Sequence, residues 1–385
     1  MIVSPLAVLT LLAALVAAVF LVEKRTGWRL FHYFPPLLFI YMIPLVLSNT
    51  GVIPTASPVY SGMRAYALPI FLTFMLLSLD CRKAVRVMGS GVFVMLLGSA
   101  GVVIGGAVAY ALVHRGLSHD AWKGFGALAG SWIGGTGNMA AVAGALDAPP
   151  EELGLAVLSD NLVYVVWLPI LLGSKAWAER FGRFTRVSSD RLRILEEAAR
   201  SIEREERAPA MLDLLLLLSI GLAVTAAAKG VAAGIPELPP VLSTGTWEVL
   251  LVTTFGIALS FTRARRIPGS QPIAMAMVYL FVAGMGARAE LSGLSRAPWF
   301  VAGAFIWIFI HGGFVLLGAR LFRVDVHTAA IASAANIGGI ASAPIVAAYH
   351  RKSLIPVSIL MALLGYAVGN YLAILTAQLC WLVGR

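Results

Sequence analysis

The chain has 385 residues, 59% hydrophobic and only 12% charged, with a mean hydropathy of +0.87. Those proportions exclude a soluble globular domain and fit a polytopic helical membrane protein. The net charge of +10 sits mainly in breaks between apolar runs, which speaks for orientation in a bilayer and against nucleic acid as a partner.

The first apolar run, from Ile2 to Val22, is too long for a signal-peptide core and has no basic stretch before it. It reads as a retained helix. Further runs follow at 30–48, 64–79 and 87–113, then a broken run at 121–147 and another helix at 152–173. A polar linker occupies 174–209. The second set is 210–233, 246–262, 272–288, 297–321, the broken 325–350, and 354–382. The sets correspond element for element, so the sequence predicts an N-terminal repeat (1–173), a linker (174–209) and a C-terminal repeat (210–385). Within the linker, 190–207 reads as a solvated connecting helix. Glu196/Arg200 and Glu203/Arg207 are spaced to pair along it, and Leu192, Leu195, Ala199 and Ile202 form an apolar stripe.

Basic residues decide whether the broken runs cross the membrane. If each is a hairpin that enters and leaves on one side, one face collects 22 of the 29 Lys and Arg; if both cross fully, it collects 18. The positive-inside rule prefers hairpins. The expected architecture is therefore all-α: two inverted repeats of five transmembrane helices, each with a broken, re-entrant helical hairpin. It would be a multi-pass protein of the cell (inner) membrane, with the linker cytoplasmic and both termini outside.

The breaks carry the chemistry. Ser131, Gly134, Gly135, Thr136, Gly137 and Asn138 mark the first; Ser333, Asn336, Gly338, Gly339, Ser342 and Pro344 mark the second. Exposed backbone at membrane depth is tolerated only inside protein or beside a polar cavity. Half-helix N-termini there attract anions, and C-terminal carbonyls attract cations. The bland alternative is close helix packing through small residues. After the first break, Ser159-Asp160-Asn161 with Tyr164 one turn on places a carboxylate near the bilayer centre. Such a group costs about 2.5–3.5 kcal/mol on insertion scales. A bound sodium ion held by Asp160, Asn161, Tyr164 and Tyr366 would neutralise it, as would a proton; a protonated, purely structural Asp160 is the bland reading. The matching helix carries Tyr366 and Asn370, the latter a site residue or an interhelical hydrogen bond. His311, mid-span, reads as a packed histidine with proton coupling as the alternative. Asp80 with Arg82 reads as an interfacial pair at a span end. Cys81 and Cys380 have no zinc or redox spacing. Enzyme motifs are absent, so no enzyme is expected and no cofactor beyond a coupling ion is implied.

Gly-Gly-Thr-Gly-Asn-Met-Ala-Ala at 134–141, Leu-Ser-Asp-Asn at 158–161, Ala-Asn-Ile-Gly-Gly at 335–339 and Gly-Tyr-Ala-Val-Gly-Asn-Tyr at 365–371 resemble the YjcL-like membrane family (domain of unknown function 819), across essentially the whole chain. More distantly the layout is similar to sodium-coupled carriers of the bile-acid, glutamate and citrate groups. The glutamate and citrate groups carry Gly-Gly-x-Gly at their re-entrant tips; the second copy here lacks the last glycine. The resemblance implies inverted repeats, a core domain sliding against a scaffold, and a homodimer. The sequence thus points to a secondary transporter of a small anionic organic solute coupled to sodium by alternating access, with Ser131, Gly134, Gly135, Thr136, Gly137, Asn138, Asn336, Gly338, Gly339, Ser342 and Asn370 at the solute. A proton-coupled exporter with Asp160 as carrier is the runner-up; a channel and an intramembrane enzyme are remote.

Overall fold

In the computed structural model, residues 4–28, 30–31, 35–188, 195, 197, 207–290 and 295–385 are described. The side chains of Cys81 and Arg82, and most of the expected linker helix at 190–207, lie outside that set. Leu195 of its apolar stripe is helical and buried.

The described residues form helices joined by turns and loops, and the only extended pairing among them is an isolated bridge between Leu238 and Leu242. The first half runs α1 (Pro5–Thr26), α2 (Pro36–Asn49), α3 (Pro58–Leu77), α4 (Cys81–Met88) and α5 (Gly91–Val113). It continues with α6 (Ala121–Gly134), α7 (Thr136–Ala145), α8 (Pro150–Gly173) and the short α9 (Ala178–Thr185). The second half runs α10 (Met211–Ala232), α11 (Thr244–Ser260), α12 (Ser270–Arg288) and α13 (Ala297–Leu321). It ends with α14 (Val326–Ile337), α15 (Gly339–His350) and α16 (Ile355–Val383).

Among the described residues, eight helices are long and apolar enough to cross a membrane, where the sequence predicts ten spans. The two that fall short are α2, with 14 residues, and α11, with 17. At 1.5 Å per residue they reach about 21 and 26 Å, against a hydrocarbon core of about 30 Å. α2 starts after Pro35, and α11 starts where Ser243 accepts from the Thr246 N–H. The short α4 and α9 are absent from the sequence reading because their polar residues look like loop. Asp80 caps α4 by accepting from the Lys83 N–H at 3.0 Å, and it forms an ion pair with Arg265 at 2.7 Å. The pairing with Arg82 that the sequence suggests lies outside the described residues.

Contacts sort the helices into two groups. In one, α12 packs on α2 and α3, α11 on α3, α10 on α3 and α11, and α1 on α2 and α12. In the other, α5 packs on α13, α16 on α6, α15 and α5, and α8 on α13 and α6. α5 and α16 are well enclosed, whereas α1 is peripheral, its apolar face left to lipid. The groups meet chiefly along α7, which lies on α3, α11 and α12. There α7 is smooth. A Cβ at Gly137 would collide with Met75, and one at Gly144 with Leu68.

Candidate functional site

Each broken run folds back on itself. A Cβ built on Gly130 of α6 would lie 2.9 Å from the Asn138 carbonyl oxygen of α7, so the two arms are antiparallel. Lys123 near the start of α6 donates to the Asp147 carbonyl just past α7 at 3.4 Å. The second pair closes likewise, with His327 Nδ1 3.0 Å from His350 Nδ1. None of the four arms exceeds 14 residues, about 21 Å, so none crosses a bilayer alone.

The hairpins come from opposite ends of α8. The first is anchored at its N-terminal end, which directly follows α7. The second is anchored at its C-terminal end, where His350 Nε2 meets the Leu171 carbonyl at 2.9 Å and Lys175 donates to the Tyr349 carbonyl at 2.8 Å. Their tips meet in the interior. A Cβ on Gly339 would sit 3.6 Å from the Gly135 Cα.

Gly135 and Gly339 are the hinges, with φ of +80° and +56°, left-handed conformations that side chains resist. One residue before each hinge, another glycine leaves room for a polar side chain four positions on. A Cβ at Gly134 would lie 2.6 Å from Asn138 Cγ, and one at Gly338 would collide with Ser342 Oγ. By the hinges, Asn138 therefore corresponds to Ser342. Asn336 precedes its hinge whereas Asn138 follows, so the two asparagines are not equivalent, although the paired motifs suggest it. At the tips, the C-terminal carbonyls of α6 and α14 and the N-terminal N–H groups of α7 and α15 converge, a setting that suits both cations and anions.

Asp160 lies beside the first tip. Its Oδ2 accepts from Ser131 Oγ at 2.9 Å and its Oδ1 from Trp132 Nε1 at 2.8 Å. Among the described residues no cationic side chain pairs with it. It is half-buried, so the residue keeps some accessible surface. Tyr164, one turn along α8, reaches the second tip, its Cε2 3.2 Å from a Cβ position at Gly338; Tyr366 of α16 reaches the first, its Cε1 3.4 Å from a Cβ position at Gly135. Asn138 donates to the Tyr366 carbonyl at 3.2 Å and to Asn370 Oδ1 at 3.0 Å, and Asn370 donates to Thr253 Oγ1 at 2.8 Å. The Asn138 amide oxygen has no hydrogen-bond partner among the described residues.

Of the sequence-derived candidates, the fold thus gathers Ser131, Gly134, Gly135, Asn138, Asp160, Tyr164, Gly338, Gly339, Ser342, Tyr366 and Asn370. Four face elsewhere or add nothing visible. Asn161 donates back to the Val157 carbonyl at 2.6 Å. Asn336 donates to the Met95 carbonyl and to Ser99 Oγ on α5, at 3.2 and 3.1 Å. Gly137 abuts Met75, and Thr136 is half-buried, its hydroxyl making no hydrogen bond to the cluster among the described residues. Trp132 and Thr253 were not legible as site residues. His311 is a packed histidine. Its Nδ1 meets the Gly98 carbonyl at 2.9 Å, and Ser333, which also accepts from Trp167, meets its Nε2 at 3.0 Å. A carbonyl only accepts, so Nδ1 carries the proton and Nε2 accepts from the serine hydroxyl.

The family model described as "Protein of unknown function (DUF819)" matches residues 10–382. The chain is also similar to "Uncharacterized membrane protein YjcL" of Bacillus subtilis (strain 168), 27% identical over 341 residues, 85% of each chain. With a helical fold and eight membrane-length helices among the described residues, the chain is a multi-pass membrane protein, and it belongs to the DUF819 family.

Proposed function

We propose that the protein is a secondary active transporter that carries a small anionic organic solute with sodium by alternating access. One observation carries this reading: two hairpins from opposite ends of α8 meet tip to tip at Gly135 and Gly339, beside a carboxylate with no cationic partner among the described residues. Such tips place N–H groups where a solute carboxylate or phosphate would bind, and carbonyls and the Asp160 oxygens where a hard cation would bind. Asn138, with its free amide oxygen, bridges the tip to α16.

The contact pattern supports two inverted repeats. α2 packs on α12 while α11 packs on α3, which is the exchange a two-fold relation between halves produces. On this reading α1, α2, α3, α10, α11 and α12 form the scaffold, the other spans and both hairpins form the moving core, and a homodimer forms through the scaffold. The linker is cytoplasmic and both termini are outside.

Proton coupling at Asp160 is the second reading, favoured by the same lack of a cationic partner, because a proton would neutralise the carboxyl equally well. Thermal stability of the detergent-purified protein in sodium against potassium, at several pH values, separates the two. A bound ion stabilises by about 2.7 kcal/mol at a hundredfold excess over its Kd. A sodium-specific rise lost in Asp160→Asn is the expected result. A pH response without a sodium response, lost in the same variant, transfers the coupling to protons.

A further inference from the structure

A second polar region lies far from the hairpin tips, where α3 and α11 end. A cavity of about 790 Å³ opens there between α4 and the turn at 263–266, lined by Lys83, Arg86, Arg263 and Arg266 and by the ion-paired Arg265 and Asp80. One ion pair ties its walls together: Asp80 bridges to Arg265 at 2.7 Å. Among the described residues, Asp80 is the only acidic side chain in the lining, and it is taken by Arg265. Four cations therefore converge on one space with no further acidic side chain in its lining among the described residues.

Basic loops are ordinary at one face of a membrane protein, but such charges usually spread into solvent. Here the cavity concentrates them, and a cluster of like charges repels itself unless an anion sits among them. The cavity is also amphipathic. Phe261, 54% exposed, and Val87 form part of its wall where spans end. We infer that it is a binding site for the phosphate headgroup of an anionic phospholipid, with the phosphate among Lys83, Arg86, Arg263 and Arg266 and an acyl chain along Phe261. A free phosphate would use the cations but has no use for the exposed aromatic wall. α4 packs on α5 and α16, whereas the turn at 263–266 packs on α11, so the headgroup bridges the two helix groups. The inference stands independently of the transport reading.

The test is lipid binding to the full-length protein in phosphatidylcholine micelles, titrated with phosphatidylglycerol and separately with inorganic phosphate. Wild type is compared with Lys83→Gln/Arg86→Gln/Arg263→Gln/Arg266→Gln and with a control that loses the same charge elsewhere, Lys24→Gln/Arg25→Gln/Arg183→Gln/Lys352→Gln. Affinity for phosphatidylglycerol should fall roughly tenfold or more in the cavity variant and stay near wild type in the control. Melting in phosphatidylcholine alone verifies the fold of each variant, and the milder Arg263→Gln/Arg266→Gln replaces the quadruple variant if that one melts early. Equal phosphatidylglycerol binding by the cavity variant and control overturns the site. Inorganic phosphate binding as well as the lipid overturns the assignment to a phospholipid.

Discussion

Asp160 takes one neutral donor on each oxygen, Ser131 and Trp132, which leaves further lone pairs for an ion. A hydrogen bond to a charged group is worth about 1.5–3 kcal/mol, so Trp132→Phe should weaken sodium-dependent stabilisation by at least several-fold in Kd. Asn161→Leu should leave it unchanged, because the Asn161 Nδ2–H donates to the Val157 carbonyl and holds the side chain back along its own helix; melting curves over a sodium titration read both. Asp160 was legible in the sequence because a mid-span carboxylate has few bland explanations. Trp132 was not, since an indole in an apolar run looks like core and its partner depends on where α6 crosses α8. Motif spacing pairs Asn336 with Asn138, but only the hinge position reveals that it precedes the turn, its Nδ2 donating to the Met95 carbonyl and Ser99 of α5.

The helical hairpins depend on glycines of two kinds. Gly135 and Gly339 turn the chain, while Gly134 and Gly338 make room for Asn138 and Ser342. Gly134→Ala would push the Asn138 side chain off Asn370 and cost about 1–3 kcal/mol, as overpacked sites do. It should lower the melting temperature and blunt any ligand response, whereas alanine at the uncrowded, ordinary-φ Gly313 should do neither. At the loop before α11, Glu237 accepts from the Thr244 hydroxyl at 2.5 Å and the Thr244 N–H at 2.8 Å. Those hydrogen bonds hold its carboxyl below the usual range. The ordering they supply is present above the unfolded value, near pH 4.3, and is lost as pH falls through the lower folded value. Proteolysis of the 233–243 loop should therefore quicken only in strong acid, and in Glu237→Gln it should be fast at neutral pH. The hairpins were legible from the count of basic residues and the glycine breaks. The missed elements, α4 and α9, are short polar helices whose caps and tertiary neighbours hold them, signals that hydropathy does not carry.

For the whole molecule, the two helix groups must move against each other if access alternates. Arg64 of α3 pairs with Asp147 at the base of the first hairpin, one tie between them. Arg64→Cys/Asp147→Cys joined by a short bifunctional thiol reagent should abolish solute exchange in proteoliposomes while sparing ion binding; unaltered exchange in the cross-linked protein would count against relative motion there. The apolar helices followed from the run lengths, although eight of the ten expected spans reach membrane length among the described residues; which helices touch did not follow, because contacts such as α2 on α12 join residues far apart in the chain. The central claim is that Asp160 and the meeting hairpin tips hold a sodium ion, and equilibrium binding of radiolabelled sodium to the purified protein tests it most directly. The account predicts saturable sodium binding that potassium does not displace, lost in Asp160→Asn and kept in Asp147→Asn. Sodium binding of equal strength in Asp160→Asn, or none that saturates in the wild type, would contradict it.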